Sequence, residues 1–316
     1  MLLEKIKSPA DIKNMTAEQL RLLAAEIRGG ILKRDSTIGG HVGPNLGFVE
    51  ATIALHYVFN MPEDRIVFDV SHQVYPHKML TGRAYGFIDS RRMAEVSGYS
   101  SPAESPEYDC FEIGHTSTSV ALATGLQKAR DILGGKENVV AVIGDGSLSG
   151  GEAFEGLDVA AELGTNIIIV VNDNEMSIAE NHGGIYRNLQ LLRQTGGKAE
   201  LNLFKAMGFE YKYVEQGNDI AALIEVFKEV RDTPRPVVVH LHTEKGHGWQ
   251  PAVDNKEKWH WNSPFDIETG APKSEGGGES AAQILGGWLR EEMRRDPKLV
   301  SISAAGTGSR GFGAGG

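Results

Sequence analysis

Apolar positions along the chain alternate between two patterns. Over residues 16–33 they recur at helical spacing behind Thr16 and Gln19, which have the spacing of a capping box. Short runs rich in Val and Ile, without strict alternation, are typical of strands covered on both faces and occur at 65–70, 139–143, 166–171 and 236–242. Further helical patterns occupy 49–59, 117–133, 152–163 and 220–230. This alternation predicts an α/β fold, a doubly wound, mostly parallel sheet flanked by helices.

The pattern changes near residue 264. A stretch rich in Pro, Gly and Ser predicts a linker over residues 265–280. A helix is predicted over 281–295 and a strand over 299–303. One helix and one strand cannot bury a core, so the sequence predicts a first domain over 1–264 and the beginning of an incomplete second domain over 281–316.

Composition narrows the classes of function. The 316 residues carry a net charge of -10, which offers no basic face for nucleic acid. No stretch approaches the roughly 20 apolar residues of a membrane span. Cys110 is the single cysteine, and it fits a passive thiol in a reducing compartment. We predict a cytoplasmic protein that binds neither nucleic acid nor membrane.

The strongest chemical signal lies where the second and third predicted strands end. The sequence GDGS occupies residues 144–147, and NDNEM occupies residues 172–176. Consecutive parallel strands place their carboxyl ends side by side, so Asp145 and Asn174 can converge on one divalent cation. Glycines at such a turn let backbone amides approach a phosphate. An ordinary turn would explain either motif alone, but not the two together.

These motifs resemble the magnesium and diphosphate motif of thiamine diphosphate enzymes. GDGSLSGGEAF at 144–154 and NDNEMSI at 172–178 are similar to the 1-deoxy-D-xylulose-5-phosphate synthase family. So are DVSHQ at 69–73 with YPHK at 75–78, and GHTSTS at 114–119. Ordinary transketolases are less similar at these last two places, 69–78 and 114–119. The resemblance runs from about residue 1 to residue 270, and more weakly to residue 303.

The resemblance implies a thiamine diphosphate-binding fold with Mg2+ and thiamine diphosphate as cofactors, and a pyrimidine-binding second domain. It assigns the metal to Asp145, Asn174 and the carbonyl of Met176. It assigns the cofactor to His72, Gly114, His115, Thr116, Gly146, Ser147, Asn174 and Trp249, the last of which stands where the family usually has a tyrosine. The active-site histidines that match are His41, His72 and His260.

Histidines also make chemical sense in the predicted loops that carry His41, His72 and His115, because imidazole exchanges protons near neutral pH and donates to developing oxyanions. The loop context favours function for His41, His72 and His115. A structural or exposed position is favoured for His77, His182 and His247. For His260 the flanking Trp259 and Trp261 are also consistent with packing alone.

The implied activity is that of a transferase that condenses pyruvate with glyceraldehyde 3-phosphate to 1-deoxy-D-xylulose 5-phosphate, with loss of CO2, for isoprenoid, thiamine and pyridoxal precursors. The implied partner is a second copy in a homodimer, or a complementing pyrimidine-binding domain or subunit. Two alternatives stay open. One is the N-terminal subunit of a split transketolase that transfers two-carbon ketol units, and the other is an inactive cofactor-binding remnant.

The sequence also departs from the family. Ser71 replaces a glycine that is common before the histidine of that motif, residues 42–45 differ, and the region after Asn181 is short. The family's cofactor is activated by a glutamate of the second domain, and we find no counterpart of it over residues 280–316. A truncation, a frameshift, an incomplete gene or a split enzyme would each explain this. We predict that the isolated chain binds the cofactor weakly and turns over poorly.

Overall fold

The computed structural model describes residues 1–273 and 281–302. Its centre is a five-stranded sheet in the order β1-β2-β3-β5-β4, in which every neighbouring pair is parallel. The strands are β1 (Arg65–Phe68), β2 (Val139–Gly144), β3 (Ile168–Asp173), β4 (Glu210–Val214) and β5 (Val237–His242). The predicted α/β fold with a parallel sheet is confirmed.

Helices lie between and around these strands. They are α1 (Ala17–Ile38), α2 (Val42–Leu46), α3 (Val49–Val58), α4 (Tyr75–Lys78), α5 (Tyr85–Ile88), α6 (Ser119–Leu133), α7 (Asp145–Leu148), α8 (Gly151–Leu163), α9 (Gly184–Gln194), α10 (Leu203–Ala206), α11 (Ile220–Val230), α12 (Gln250–Asp254) and α13 (Ala281–Arg295). Short turns of 3-10 type occupy Leu3–Lys5, Pro9–Ile12 and Met93–Glu95, and a π-type turn occupies Met79–Arg83.

Both faces of the sheet are buried. Val140 and Val170 face a core that includes Phe227 of α11, whereas the intervening Ala141 and Ile169 face a second core. Two apolar faces explain why these strands lack alternating polar residues. A third core packs α1 against the short helices that follow it. None of the helices in the described part of the chain has the length and apolar character needed to cross a bilayer.

Strand β4 and helix α9 escaped the sequence analysis, as did the helices of four or five residues. Strand β4 forms the edge of the sheet, and its sequence EYKYV is mostly polar or half exposed, so it lacks the apolar run of a central strand. Helix α9 was also missed, because it buries only two apolar residues, Leu189 and Leu192. In addition, α1 continues to Ile38, five residues beyond its predicted end at residue 33.

The region after residue 264 differs from the prediction in two places. Phe265, in the predicted linker, is only 2% exposed, and its backbone N–H donates to the Ser36 carbonyl (3.3 Å). Residues 265–273 therefore pack on the end of α1, whereas 274–280 lie outside the described residues. The predicted strand at 299–303 is wrong for residues 299–302, which form no strand, and residue 303 lies outside the described residues. A strand needs a paired neighbour, and Ile302 is 92% exposed.

Candidate active site

Two of the three predicted magnesium ligands follow the ends of adjacent strands. Parallel pairing sets Gly144 of β2 opposite Asn172 of β3, so Asp145 and Asn174 follow at the same edge of the sheet. Asp145 is 2% exposed, and its carboxylate accepts from the Gly146 N–H (2.8 Å) and from Asn181 Nδ2 (3.0 Å). The side-chain oxygen of Asn174 accepts from the Met176 N–H (3.2 Å).

The surroundings of Asp145 disfavour the ionised form of its side chain. Burial and the neighbouring charge of Asp173 raise the pKa of Asp145 well above its usual range. In the part of the chain that the structure describes, Asp145 forms no ion pair, and no three His, Cys, Asp or Glu side chains group as a metal site. The predicted magnesium site differs from such a group, because it combines one carboxylate (Asp145) with one side-chain amide (Asn174) and one backbone carbonyl (Met176). A cation beside Asp145 would offset its unfavourable surroundings.

Lys245 is a site residue that the sequence analysis missed. Its side chain is 1% exposed, and Nζ donates to the Ser177 carbonyl (2.6 Å) in the loop after β3. Burial lowers the pKa of Lys245 to about 8, although the negative charge of Asp145 opposes that shift. The charge of Lys245 also contributes to the low pKa values of His72 and His260. This ammonium therefore stands within electrostatic reach of both the carboxylate and the histidines.

The three predicted active-site histidines meet although they lie far apart in the chain. The ring centroids of His41 and His72 are 5.1 Å apart, and that of His260 lies 5.6 Å from His41 and 5.4 Å from His72. The ring of Tyr99, which was not predicted, lies 5.8 Å from His41. These rings come from the start of α2, the loop after β1, the loop before α6 and the loop after α12.

All three imidazoles are neutral at pH 7. Burial lowers the pKa of His41 to about 4, that of His72 to about 3 and that of His260 to about 2. The Nδ1 atoms of His72 and His260 are buried and have no hydrogen-bond partner within the described residues. A neutral imidazole offers one N–H and one lone pair, so the cluster presents both donors and acceptors.

The segment around His260 is fixed to the glycine-rich loop that carries His41. Gly40 and Asn262 exchange two backbone hydrogen bonds of 2.9 Å each, and the Gly43 N–H donates to the Trp259 carbonyl (2.7 Å). A Cβ at residue 40 would collide with Asp35 and lie 2.8 Å from the Tyr75 hydroxyl, so this close approach requires glycine. Backbone pairing thus brings His260 to His41.

The GHTSTS loop lies between the ends of β1 and β2. Asp69 accepts from the backbone N–H groups of Ser117 and Ser119, at 2.9 Å in each case. Thr116 Oγ1 donates to Ser147 Oγ (2.7 Å). The predicted cofactor residues Thr116 and Ser147 are therefore in direct contact. His115 is exposed, and its Nδ1 is hydrogen-bonded to the Thr116 carbonyl.

Other candidates occupy structural positions. Trp249 packs edge-on against Trp259 with a centroid distance of 4.5 Å, and its predicted contact with the cofactor stays a prediction. His77 is buried between Asp109 (3.0 Å) and His56 (2.9 Å), as a structural role requires. Burial raises the pKa of the Cys110 thiol, which fits a passive thiol.

Comparison with known proteins gives one consistent family. Residues 3–201 and 196–243 match the family model described as 1-deoxy-D-xylulose-5-phosphate synthase. The 1-deoxy-D-xylulose-5-phosphate synthase of Desulforudis audaxviator is 41% identical over 348 residues, which cover 99% of this chain and 55% of that protein. Synthase 1 of Geobacter sulfurreducens is 41% identical over 351 residues, which cover 98% and 55%. The chain spans about half the length of these relatives.

Solved structures agree at the level of the fold. The transketolase from Leishmania mexicana superposes with a TM-score of 0.61 at 17% identity and covers 90% of this chain and 48% of its own. The transketolase from Campylobacter jejuni gives a TM-score of 0.60 at 19% identity and covers 79% and 41%. The sequence relatives carry the finer assignment: the chain belongs to the 1-deoxy-D-xylulose-5-phosphate synthase family and corresponds to the N-terminal part of its members.

Proposed function

We propose that this chain is the Mg2+- and thiamine diphosphate-binding part of a 1-deoxy-D-xylulose-5-phosphate synthase. The enzyme would condense pyruvate with glyceraldehyde 3-phosphate and release CO2. The observation that carries the proposal is the meeting of the His41, His72 and His260 rings within reach of the buried Lys245 charge. The two synthases that are 41% identical to this chain over nearly its whole length support the synthase proposal over the transketolase alternative.

The residues present fit the charged end of the cofactor. The carboxylate of Asp145, the amide of Asn174 and the carbonyl of Met176 are hard oxygen donors of the kind that Mg2+ binds. Lys245 would balance a phosphate charge. A Cβ at Gly146 would lie 2.8 Å from the Cβ of Ser177, so the close approach of the two loops requires glycine at this position.

The histidines would act on protons and on oxygen charge. Thiamine diphosphate, held by the residues named above, would supply the carbon nucleophile for this condensation. His41, His72 and His260, neutral at pH 7, can donate an N–H to an oxygen on which negative charge develops. The buried Nδ1 atoms of His72 and His260 have no hydrogen-bond partner within the described residues, so they are available to a hydrogen-bonding group of a substrate.

We also propose that the chain works in the cytoplasm with a second copy or a complementing pyrimidine-binding subunit. Ile132 and Leu133 at the end of α6 are 72% and 84% exposed, and Val159 of the contacting helix α8 is half exposed. Exposed apolar side chains of this kind suit a protein interface. Light scattering of the parent chain and of an Ile132→Glu variant would test this proposal through their molecular masses. We expect a dimer in the parent and a monomer in the variant. A parent that stays monomeric with and without the complementing half would contradict the proposal.

Titration calorimetry tests the cofactor assignment. Thiamine diphosphate should bind the chain with Mg2+ and not with excess EDTA, weakly in the chain alone and more tightly after addition of the second half of the Desulforudis audaxviator relative. With that half, pyruvate and glyceraldehyde 3-phosphate should give product. Activity with xylulose 5-phosphate but not with pyruvate would instead favour the transketolase alternative. No metal-dependent binding in either form would favour the inactive remnant.

A further inference from the structure

Asn45 connects the two loops that carry His41 and His72. The asparagine lies in α2, one helical turn after His41, and its side chain is completely buried. Its Nδ2 donates to the His41 carbonyl (2.7 Å) and to the His72 carbonyl (2.7 Å). His41 and His72 are 31 positions apart in the chain, so this one amide group fixes the backbone of both.

The same side chain fixes a third element. Asn45 Oδ1 accepts from the backbone N–H of Tyr75 (3.0 Å), the first residue of α4. This N–H has no partner inside its own helix, so Asn45 satisfies it from another segment. The Tyr75 hydroxyl in turn accepts from the His41 N–H (3.2 Å). Asn45 and Tyr75 therefore form a closed set of hydrogen bonds around His41 and His72.

The loop before His72 needs such support. Val70 and Ser71 both have positive φ angles, of 56° and 62°, a conformation that side chains other than glycine adopt only at a cost. A strained loop keeps its shape only where its surroundings determine it. The hydrogen bond from Asn45 to the next carbonyl supplies one such constraint, directly at His72.

Only a primary amide of this length satisfies all three partners. It has two N–H donors for the two carbonyls and one oxygen for the Tyr75 N–H. Aspartate would turn an acceptor toward two carbonyls, serine would supply one donor, and alanine would remove all three hydrogen bonds.

We propose that Asn45 is a positioning residue that sets the spacing of the His41 and His72 rings. The inference rests on the proposed function for its importance to catalysis. Asn45 acts through the backbone of the two histidines, because its side-chain amide contacts their carbonyls and not their rings.

The test compares Asn45→Ala and Asn45→Ser with Asn138→Ala. Asn138 is a matched control because it is also buried and its Nδ2 also bridges two partners, Asp64 (3.0 Å) and Asp232 (2.9 Å). It directly precedes β2, at the opposite edge of the sheet from the site. Imidazole NMR of histidine-labelled protein without cofactor reads the ring positions, so the result does not depend on whether thiamine diphosphate binds.

Ring-to-ring NOE contacts between His41 and His72 are expected in the parent and in Asn138→Ala, to be lost in Asn45→Ala and to be partly kept in Asn45→Ser. Folded Asn45 variants with unchanged contacts would overturn the proposal. So would failure of both Asn45 variants to fold while Asn138→Ala folds, because Asn45 would then serve folding rather than positioning. Hydrogen exchange of the parent gives an independent check: rapid exchange of the Asn45 side-chain amide would contradict its two hydrogen bonds.

Discussion

Asp145 and Asp173 stand side by side at the carboxyl ends of β2 and β3, yet the pKa values of their carboxyl groups are shifted in opposite directions. Burial and the charge of Asp173 raise the pKa of Asp145. Burial acts in the same direction on Asp173, but His240 and Arg193 outweigh it and lower the pKa of Asp173 to about 2. His240 Nε2 lies 2.8 Å from Asp173, and Arg193 forms an ion pair with it. The negative charge of Asp173 is thus balanced by groups of the protein, whereas the carboxylate of Asp145 is left to be balanced by a ligand.

The first prediction concerns Asp145→Asn. Without metal, the variant should stay within about 1 kcal/mol of the parent, because the lost hydrogen bond from Asn181 is offset by relief of the buried charge. With Mg2+ and thiamine diphosphate, the parent should unfold at a higher temperature and the variant should not. Thermal unfolding with and without the ligands measures both effects. Asp158→Asn on the exposed side of α8 is the control, and a variant that keeps the ligand-induced rise would contradict the metal assignment.

The second prediction concerns acid stability. His260 has a folded-state pKa of about 2, below the roughly 6.5 of an unfolded chain, so only the unfolded state takes up its proton as the pH falls below 6.5. Its contribution to stability is therefore present above pH 6.5 and lost on acidification. His260→Asn should reduce the loss of unfolding free energy between pH 7 and pH 5 by about 1–2 kcal/mol.

Urea unfolding at pH 7, 6 and 5 measures this difference between the two proteins. His182→Asn, at an exposed histidine, is the control substitution. Equal acid sensitivity of the parent and His260→Asn would show that His260 is protonated in the folded protein, which is the opposite of what its burial requires.

The third prediction separates backbone strain from hydrogen bonding at Ser71. Its hydroxyl donates to the Ile113 carbonyl (2.6 Å) and accepts from the Ser100 N–H (2.9 Å), while its φ is 62°. Ser71→Ala keeps the strain and loses both bonds, which should cost about 1–3 kcal/mol. Ser71→Gly also loses the bonds but relieves the strain, so it should be about 1 kcal/mol more stable than Ser71→Ala. Chemical unfolding gives the order, and a glycine variant less stable than the alanine variant would contradict this account.

The fourth prediction concerns Lys245→Met. The change removes a buried ammonium that stands near Asp145, and with it the charge-assisted contact that we propose to a phosphate of the cofactor. Since such contacts contribute about 1.5–3 kcal/mol, the affinity for Mg2+-thiamine diphosphate should fall roughly 10- to 100-fold. Calorimetry measures the affinity, and Lys258→Met, on an exposed lysine that lies over the Trp259 ring, should leave it unchanged. An unchanged affinity in Lys245→Met would remove this residue from the cofactor site.

Much of the site could be predicted because β2 and β3 are neighbours in the sequence and in the sheet. Asp145 and Asn174 therefore follow strands that end at the same edge of the sheet, as the chain order suggests. Lys245 follows β5, which lies next to β3 only because β4 is placed at the edge. Since β4 is mostly polar, its existence and the order of the last two strands could not be predicted from apolar runs.

The sequence by itself determined the α/β class and the loops that carry chemistry, because strands covered on both faces require continuous apolar runs and their ends fall at fixed positions. The tertiary structure decided which loops meet. His41, His72 and His260 come together through backbone pairing at Gly40 and through the buried amide of Asn45. Such contacts join positions far apart in the chain, and no local pattern of residues records them.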